Sequence, residues 1–172
     1  MQKKVCMIGS FAVGKTSLVR RFVKSMFDEK YLTTLGVKID KKIVQLDGVD
    51  LTLMLWDMEG QDVYNSLKTS YLRGASGYLL VADGTRRETL DEAISLRSQV
   101  QQAIGAVPNL VLLNKSDLAQ SWEIENEQLQ ALLASGTVLG RTSAKSGEGV
   151  EWAFMTLATR MLEGRSDAIP DE

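Results

Sequence analysis

The chemistry of this chain is concentrated first in Gly9-Ser10-Phe11-Ala12-Val13-Gly14-Lys15-Thr16-Ser17. The stretch follows the apolar run Val5-Cys6-Met7-Ile8 and precedes Leu18, Phe22 and Met26 at helical spacing, so it reads as a strand, a glycine loop and a helix. Glycines let successive backbone N–H groups turn towards one anion, and a helix amino terminus adds partial positive charge. Lys15 then reaches the β and γ phosphates of a nucleotide, and the Thr16 hydroxyl is a ligand for Mg²⁺. Gly9, Val13, Gly14, Lys15, Thr16 and Ser17 are the candidate phosphate-binding residues. The competing reading is a glycine turn with a solvated lysine, and the loop alone does not separate the two. Phe11 is the odd member, a bulky side chain in a loop of mostly small residues.

Further polar loops follow other apolar runs. Asp57-Met58-Glu59-Gly60 offers a carboxylate that holds Mg²⁺ through water, and a Gly60 N–H for a γ-phosphate. Asn114-Lys115-Ser116-Asp117 is sharper. A carboxylate at Asp117 accepts two hydrogen bonds from the N1–H and exocyclic amine of guanine, whereas adenine presents no matching donors. The Lys115 stem covers the face of the base. Ser143-Ala144-Lys145 offers a backbone N–H to the base oxygen. Each has an ordinary alternative as a solvated turn.

The elements that must position these loops are legible in outline. The runs 78–83, 110–114 and 137–140 are apolar and strand-length, as a parallel sheet covered on both faces requires. Residues 37–57 alternate around Asp47-Gly48, which predicts an antiparallel hairpin. Helical spacing returns in Leu90, Ile94, Val100 and Ile104, with Thr89 and Glu92 read as a capping box and Gly105 as the stop, and again in Val150, Phe154, Leu157 and Met161. The expected fold is α/β: a six-stranded mixed, mostly parallel sheet flanked by helices on both faces. Ligands of such sheets bind where strand carboxyl ends share an edge, so the polar loops converge on one crevice. Residues 1–163 form the expected domain, and 164–172 a short polar tail.

Composition limits the chemistry. With 172 residues the chain is sized for one domain. Its 20 basic and 22 acidic residues give no field that marks a nucleic-acid binder. One cysteine and no histidine exclude an internal disulfide and argue against Cys/His zinc clusters and histidine acid–base catalysis. The expected location is cytoplasmic.

In order and on their strands, these motifs resemble those of the Ras-like small GTPases over nearly the whole chain. Trp56-Asp57-Met58-Glu59-Gly60-Gln61 is similar to that family's W-D-T-A-G-Q, Thr33-Thr34-Leu35-Gly36-Val37 to the Rab-type T-T-I-G-V, and the Asn114–Asp117 and Thr142–Lys145 stretches match outright. The resemblance implies a P-loop domain that binds GTP or GDP with Mg²⁺ and hydrolyses GTP. It implies that Thr34 ligates Mg²⁺ and senses the γ-phosphate, with Thr16 and Asp57 as the other metal residues. Phe27 packs on the guanine, Tyr31 closes over the phosphates, and Gln61 orients the attacking water. Gln61, Lys15 and Thr34 are the catalytic candidates. Segments 28–37 and 58–73 become the two switches, and protein effectors, an activating protein and an exchange protein become the expected partners.

Two departures bear on rate. Phe11 stands where the family has glycine or another small residue, in the path of an activating arginine, and Glu59 replaces an alanine beside the γ-phosphate. They leave open a GTP-binding module with little hydrolysis. An ATP-using P-loop kinase is disfavoured by Asp117. Arg86 and Arg87, after the fourth strand, read as solvated. The only cysteine is Cys6 and the chain ends Ala-Ile-Pro-Asp-Glu, so no prenyl anchor is expected in this sequence, which reads as a protein acting through partners or as one domain of a longer chain.

Overall fold

The computed structural model describes residues 1–24, 36–59 and 69–164, without the side chains of Met58 and Glu59. Met26, Phe27, Tyr31, Thr34, Gly60 and Gln61 lie outside the described residues, as does the tail from 165. The strands are β1 (Gln2–Ile8), β2 (Gly36–Leu46), β3 (Val49–Glu59), β4 (Ala75–Asp83), β5 (Asn109–Asn114) and β6 (Leu139–Arg141). The helices are α1 (Lys15–Lys24), α2 (Thr69–Leu72), α3 (Arg87–Ile104), α4 (Asn126–Ala134) and α5 (Val150–Glu163). They build one six-stranded sheet in the order β2-β3-β1-β4-β5-β6, in which only the β2–β3 pair is antiparallel. That is the expected fold class.

Strand pleating sorts side chains between two cores. Val5 and Met7 of β1 enter a cluster with Leu18 and Phe22 of α1 and Phe154 and Leu157 of α5. Their neighbours Cys6 and Ile8 face the other way, towards Leu90, Leu96 and Val100 of α3. With both faces covered, β1, β4 and β5 carry no polar alternation. Phe22 and Phe154 stack with ring centroids 4.2 Å apart, fastening α1 to α5. Burial pushes the Cys6 thiol up to about 12, so this cysteine is unreactive at neutral pH.

The hairpin turns as expected: Leu46 pairs with Val49, and Asp47 and Gly48 have φ of 50° and 78°. Positive φ at both central residues matches the right-handed twist of the flanking strands. Alternation alone does not say which face is covered. Leu51, Leu53 and Leu55 of β3 are buried, whereas Val37, Ile39 and Ile43 of the edge strand β2 are exposed.

Two readings are corrected. The α3 start is not capped by Thr89: its N-cap is Arg86, and the Thr89 hydroxyl lies inside the first turn, accepting from the Asp83 N–H at 2.8 Å and placed 2.7 Å from the Arg86 carbonyl. Glu92 likewise turns away from the helix end, to the Ser10 hydroxyl. The last strand begins at Leu139 rather than 137, because the Thr137 N–H closes the turn after α4 onto the Leu132 carbonyl. Gly105 does end α3, at φ 77° with its N–H on the Gln101 carbonyl. No helix among the described residues is long and apolar enough to cross a membrane.

Candidate functional site

Sheet register brings the polar loops to one edge. Met7 pairs with Asp57, Ile8 with Leu80, and Asp83 with Asn114, so the carboxyl ends of β1, β3, β4 and β5 lie side by side. The loop between β1 and α1 is anchored through its carbonyls. Lys15, fully buried, donates to the Gly9 and Ser10 carbonyls at 2.6 and 3.1 Å. Arg86 Nη2 donates to the Phe11 carbonyl at 2.9 Å, Lys115 Nζ to that of Ala12 at 3.3 Å, and Asn114 Nδ2 to that of Val13 at 2.9 Å. The Leu18 N–H takes the Gly14 carbonyl at 2.9 Å. Every carbonyl from Gly9 to Gly14 therefore has a donor. The backbone N–H groups are the loop's means of meeting an anion.

Both glycines of the loop are required by close approach. A Cβ on Gly9 would overlap the Val81 carbonyl of β4, and one on Gly14, whose φ is 105°, would overlap the Asn114 amide. The Val13 side chain is buried in the core, so its part in any phosphate contact is through backbone. Ser17 is half-buried in the first turn of α1.

The Thr16 hydroxyl donates to Asp57 Oδ2 at 2.6 Å, and Asp57 is buried. A hydroxyl and a carboxylate in contact are hard oxygen donors of the kind Mg²⁺ takes alongside phosphate oxygens and water, so the pair fits that ion.

Asn114 bridges loops: besides donating to Val13, it accepts from the Thr142 hydroxyl at 3.1 Å. Lys115 has φ 68° and ψ 41°, left-handed backbone that side chains rarely adopt. Asp117 is exposed, with Oδ1 accepting from the Ser143 hydroxyl at 2.8 Å. The Ser143 N–H is taken by the Glu148 carbonyl at 2.9 Å, which leaves Ala144 and Lys145 as the backbone donors of that loop to be considered for a base oxygen. Ala144 is buried and Lys145 exposed.

Sequence reading missed the residue at the centre of this network. Asp83, 1% exposed at the end of β4, accepts from Lys115 Nζ at 2.7 Å, Arg86 Nε at 3.1 Å and the Thr85 hydroxyl at 2.7 Å. It thereby joins the 114–117 loop to the arginine that holds the phosphate loop. The reading of Arg86 as solvated is corrected on this ground, while Arg87 makes only a half-exposed pair with Glu125 at 3.0 Å. Burial alone would raise the Asp83 pKa, but hydrogen bonds from Lys115 and Thr85 outweigh it and hold the carboxyl below the usual aspartate range.

A depressed folded-state pKa contributes stability above the unfolded value, ~3.9, that is lost as pH falls through the lower folded one. Asp83→Asn is therefore expected to destabilise the domain by about 2 kcal/mol at neutral pH, because its partners are partly solvated and the usual cost of breaking a buried pair is larger. Urea midpoints should differ between the two proteins by a constant amount above ~pH 5, and the difference should shrink on acidification. A gap independent of pH would contradict the ion-pair account.

Sheet order together with the loop between β1 and α1 defines a P-loop α/β domain. The Ras family model matches residues 4–163. The chain is similar to Ras-related protein Rab-8B of Homo sapiens and Pongo abelii, each 34% identical over 161 residues, covering 92% of this chain and 78% of theirs. It is also similar to the GTP-binding protein ypt2 of Schizosaccharomyces pombe, 34% identical over 167 residues, covering 96% of this chain and 84% of the relative. The chain belongs to the Ras family and is a small GTPase of Rab-like type.

Proposed function

We propose that this protein is a cytoplasmic switch that binds GTP and GDP with Mg²⁺, hydrolyses GTP slowly, and changes protein partners as segments 28–37 and 58–73 order and relax around the γ-phosphate. The observation that carries the proposal is the set of donors on the carbonyls of residues 9–14, which ties down the loop at the amino terminus of α1. Lys15, Gly14 and Ser17 then meet phosphate, Thr16 and Asp57 hold the ion together with Thr34, and Asp117 reads guanine with Ala144 and Lys145 beside it. Mg²⁺ supplies charge neutralisation at the β and γ phosphates. Gln61 orients water, and positioning does the rest, with no histidine needed. The exposed Val37 and Ile39 on the edge strand support a partner-facing role for β2. Effectors, an activating protein and an exchange protein are the proposed partners. Calorimetric titration tests base choice: GDP should bind at least ~10³-fold more tightly than ADP, because the Asp117 carboxylate has no donor on adenine to accept from. Equal affinities would end the reading.

The slow rate rests on Phe11 and Glu59. Arg86 holds the Phe11 carbonyl, and Phe11 is 40% exposed and outside the two described cores. An arginine from a partner has to pass it. Phe11→Gly combined with Glu59→Ala is expected to speed unaided single-turnover hydrolysis about ten-fold, which is roughly 1.4 kcal/mol off the barrier. An unchanged rate would remove this explanation. The same two residues favour a second reading, a GTP-binding module with little turnover.

A further inference from the structure

Trp122 belongs to none of the motifs that suggested the site, yet its ring meets the 114–117 loop, the residue after β4 and the last residue of β6. Its Nε1–H donates to the Lys115 carbonyl at 2.9 Å, inside the 114–117 loop. That carbonyl also accepts the Leu118 N–H at 2.9 Å, so two donors hold the one residue of the loop with left-handed backbone. The indole lies flat on Gly84, the residue after β4: any Cβ there would overlap three of its ring atoms. Gly84 is itself tied on both sides, its N–H to the Asn114 carbonyl at 3.0 Å and its carbonyl to the Glu123 N–H at 3.0 Å. On the remaining side the Arg141 guanidinium stands 4.9 Å from the ring centroid, one residue before Thr142 and the 143–145 loop. A backbone conformation that costs about 1–2 kcal/mol is kept where surrounding contacts over-determine it.

We infer that Trp122 is a positioning residue for base recognition: it clips the 114–117 loop to the ends of β4 and β6 and so sets where Asp117 meets guanine. The inference rests on the guanine-nucleotide reading above. It has a control within the same fold, because Trp152 of α5 packs on Gly140 of β6 just as closely and donates nothing to the 114–117 loop among the described contacts.

The test follows release of fluorescent GDP and of inosine diphosphate, which lacks the exocyclic amine, from the full chain with Mg²⁺. Trp122→Phe, which loses the Nε1–H, should release GDP about five-fold faster than wild type, the worth of one ordinary hydrogen bond. Gly84→Ala, which displaces the ring without removing it, should do the same. In both, the preference for guanosine over inosine diphosphate should narrow, while Trp152→Phe keeps the wild-type preference. If the Trp122 and Gly84 variants speed both nucleotides equally, or if Trp152→Phe narrows the preference as much, Trp122 is ordinary packing and the inference fails while nucleotide binding stands. If wild type retains neither nucleotide, both readings fail.

Discussion

Gly14→Ala is expected to lower the unfolding free energy by about 3 kcal/mol and to abolish stable retention of guanine nucleotide. Two costs combine. At φ 105° a side chain is strained, at about 1–3 kcal/mol. The added Cβ also overlaps the Asn114 amide, which must leave the Val13 carbonyl, and an unmade buried hydrogen bond costs about 1–3 kcal/mol. The second cost spreads, because Asn114 also takes the Thr142 hydroxyl and adjoins Lys115. One methyl group thus disturbs the phosphate loop and the base loop together. Gly136→Ala isolates the strain: that glycine has φ 85° and nothing within 4 Å of its would-be Cβ. It should lose about 1 kcal/mol and keep its nucleotide. Equal urea midpoints for the two variants would show that the Asn114 contact does not constrain Gly14.

Asp117→Asn is expected to exchange the base preferred by the pocket. In the proposed reading the carboxylate accepts two hydrogen bonds from guanine, each worth about 1.5–3 kcal/mol because one partner is charged. An asparagine keeps one acceptor and turns a donor towards the N1 position, so GDP affinity should fall about a thousand-fold. Xanthine carries an oxygen in place of the exocyclic amine, and its diphosphate should bind the variant better than wild type. The Ser143 hydroxyl, which donates to Asp117, is served equally by the amide oxygen, so folding should be little changed. Competition between guanosine and xanthosine diphosphates reads the result. Loss of both affinities in parallel would mean that Asp117 supports the loop without reading the base.

The motifs were legible because their physics is local. Gly9, Gly14, Lys15 and Thr16 announce themselves by spacing, and Asp47-Gly48 by the positive backbone angles that such a pair favours. The network that aims them is not local. Asp83 is one polar residue at the end of an apolar run; Arg86 is only three residues on, but only sheet register sets Asp83 against Asn114 and within reach of Lys115. Trp122 reads as an isolated aromatic, and its partners Gly84, Lys115 and Arg141 come from three separate places in the chain. Thr89 and Glu92 fit a capping box by spacing, yet tertiary partners took both side chains, the end of β4 for one and Ser10 for the other. Helix α4 was not located because it buries no residue fully, so its apolar stripe of Leu129 and Leu132 is thin.

One measurement bears most directly on whether this domain is a hydrolysing switch. The protein is loaded with GTP and Mg²⁺, and bound GTP and GDP are separated by chromatography over a day. Unaided hydrolysis in Ras-type GTPases runs on the order of 10⁻⁴ per second or somewhat faster, a half-time of about an hour. With Phe11 and Glu59 in place, bound GTP is expected to become bound GDP more slowly than that, yet completely. GTP that stays intact on the protein for the whole day would contradict the switch and leave a nucleotide-binding module in its place.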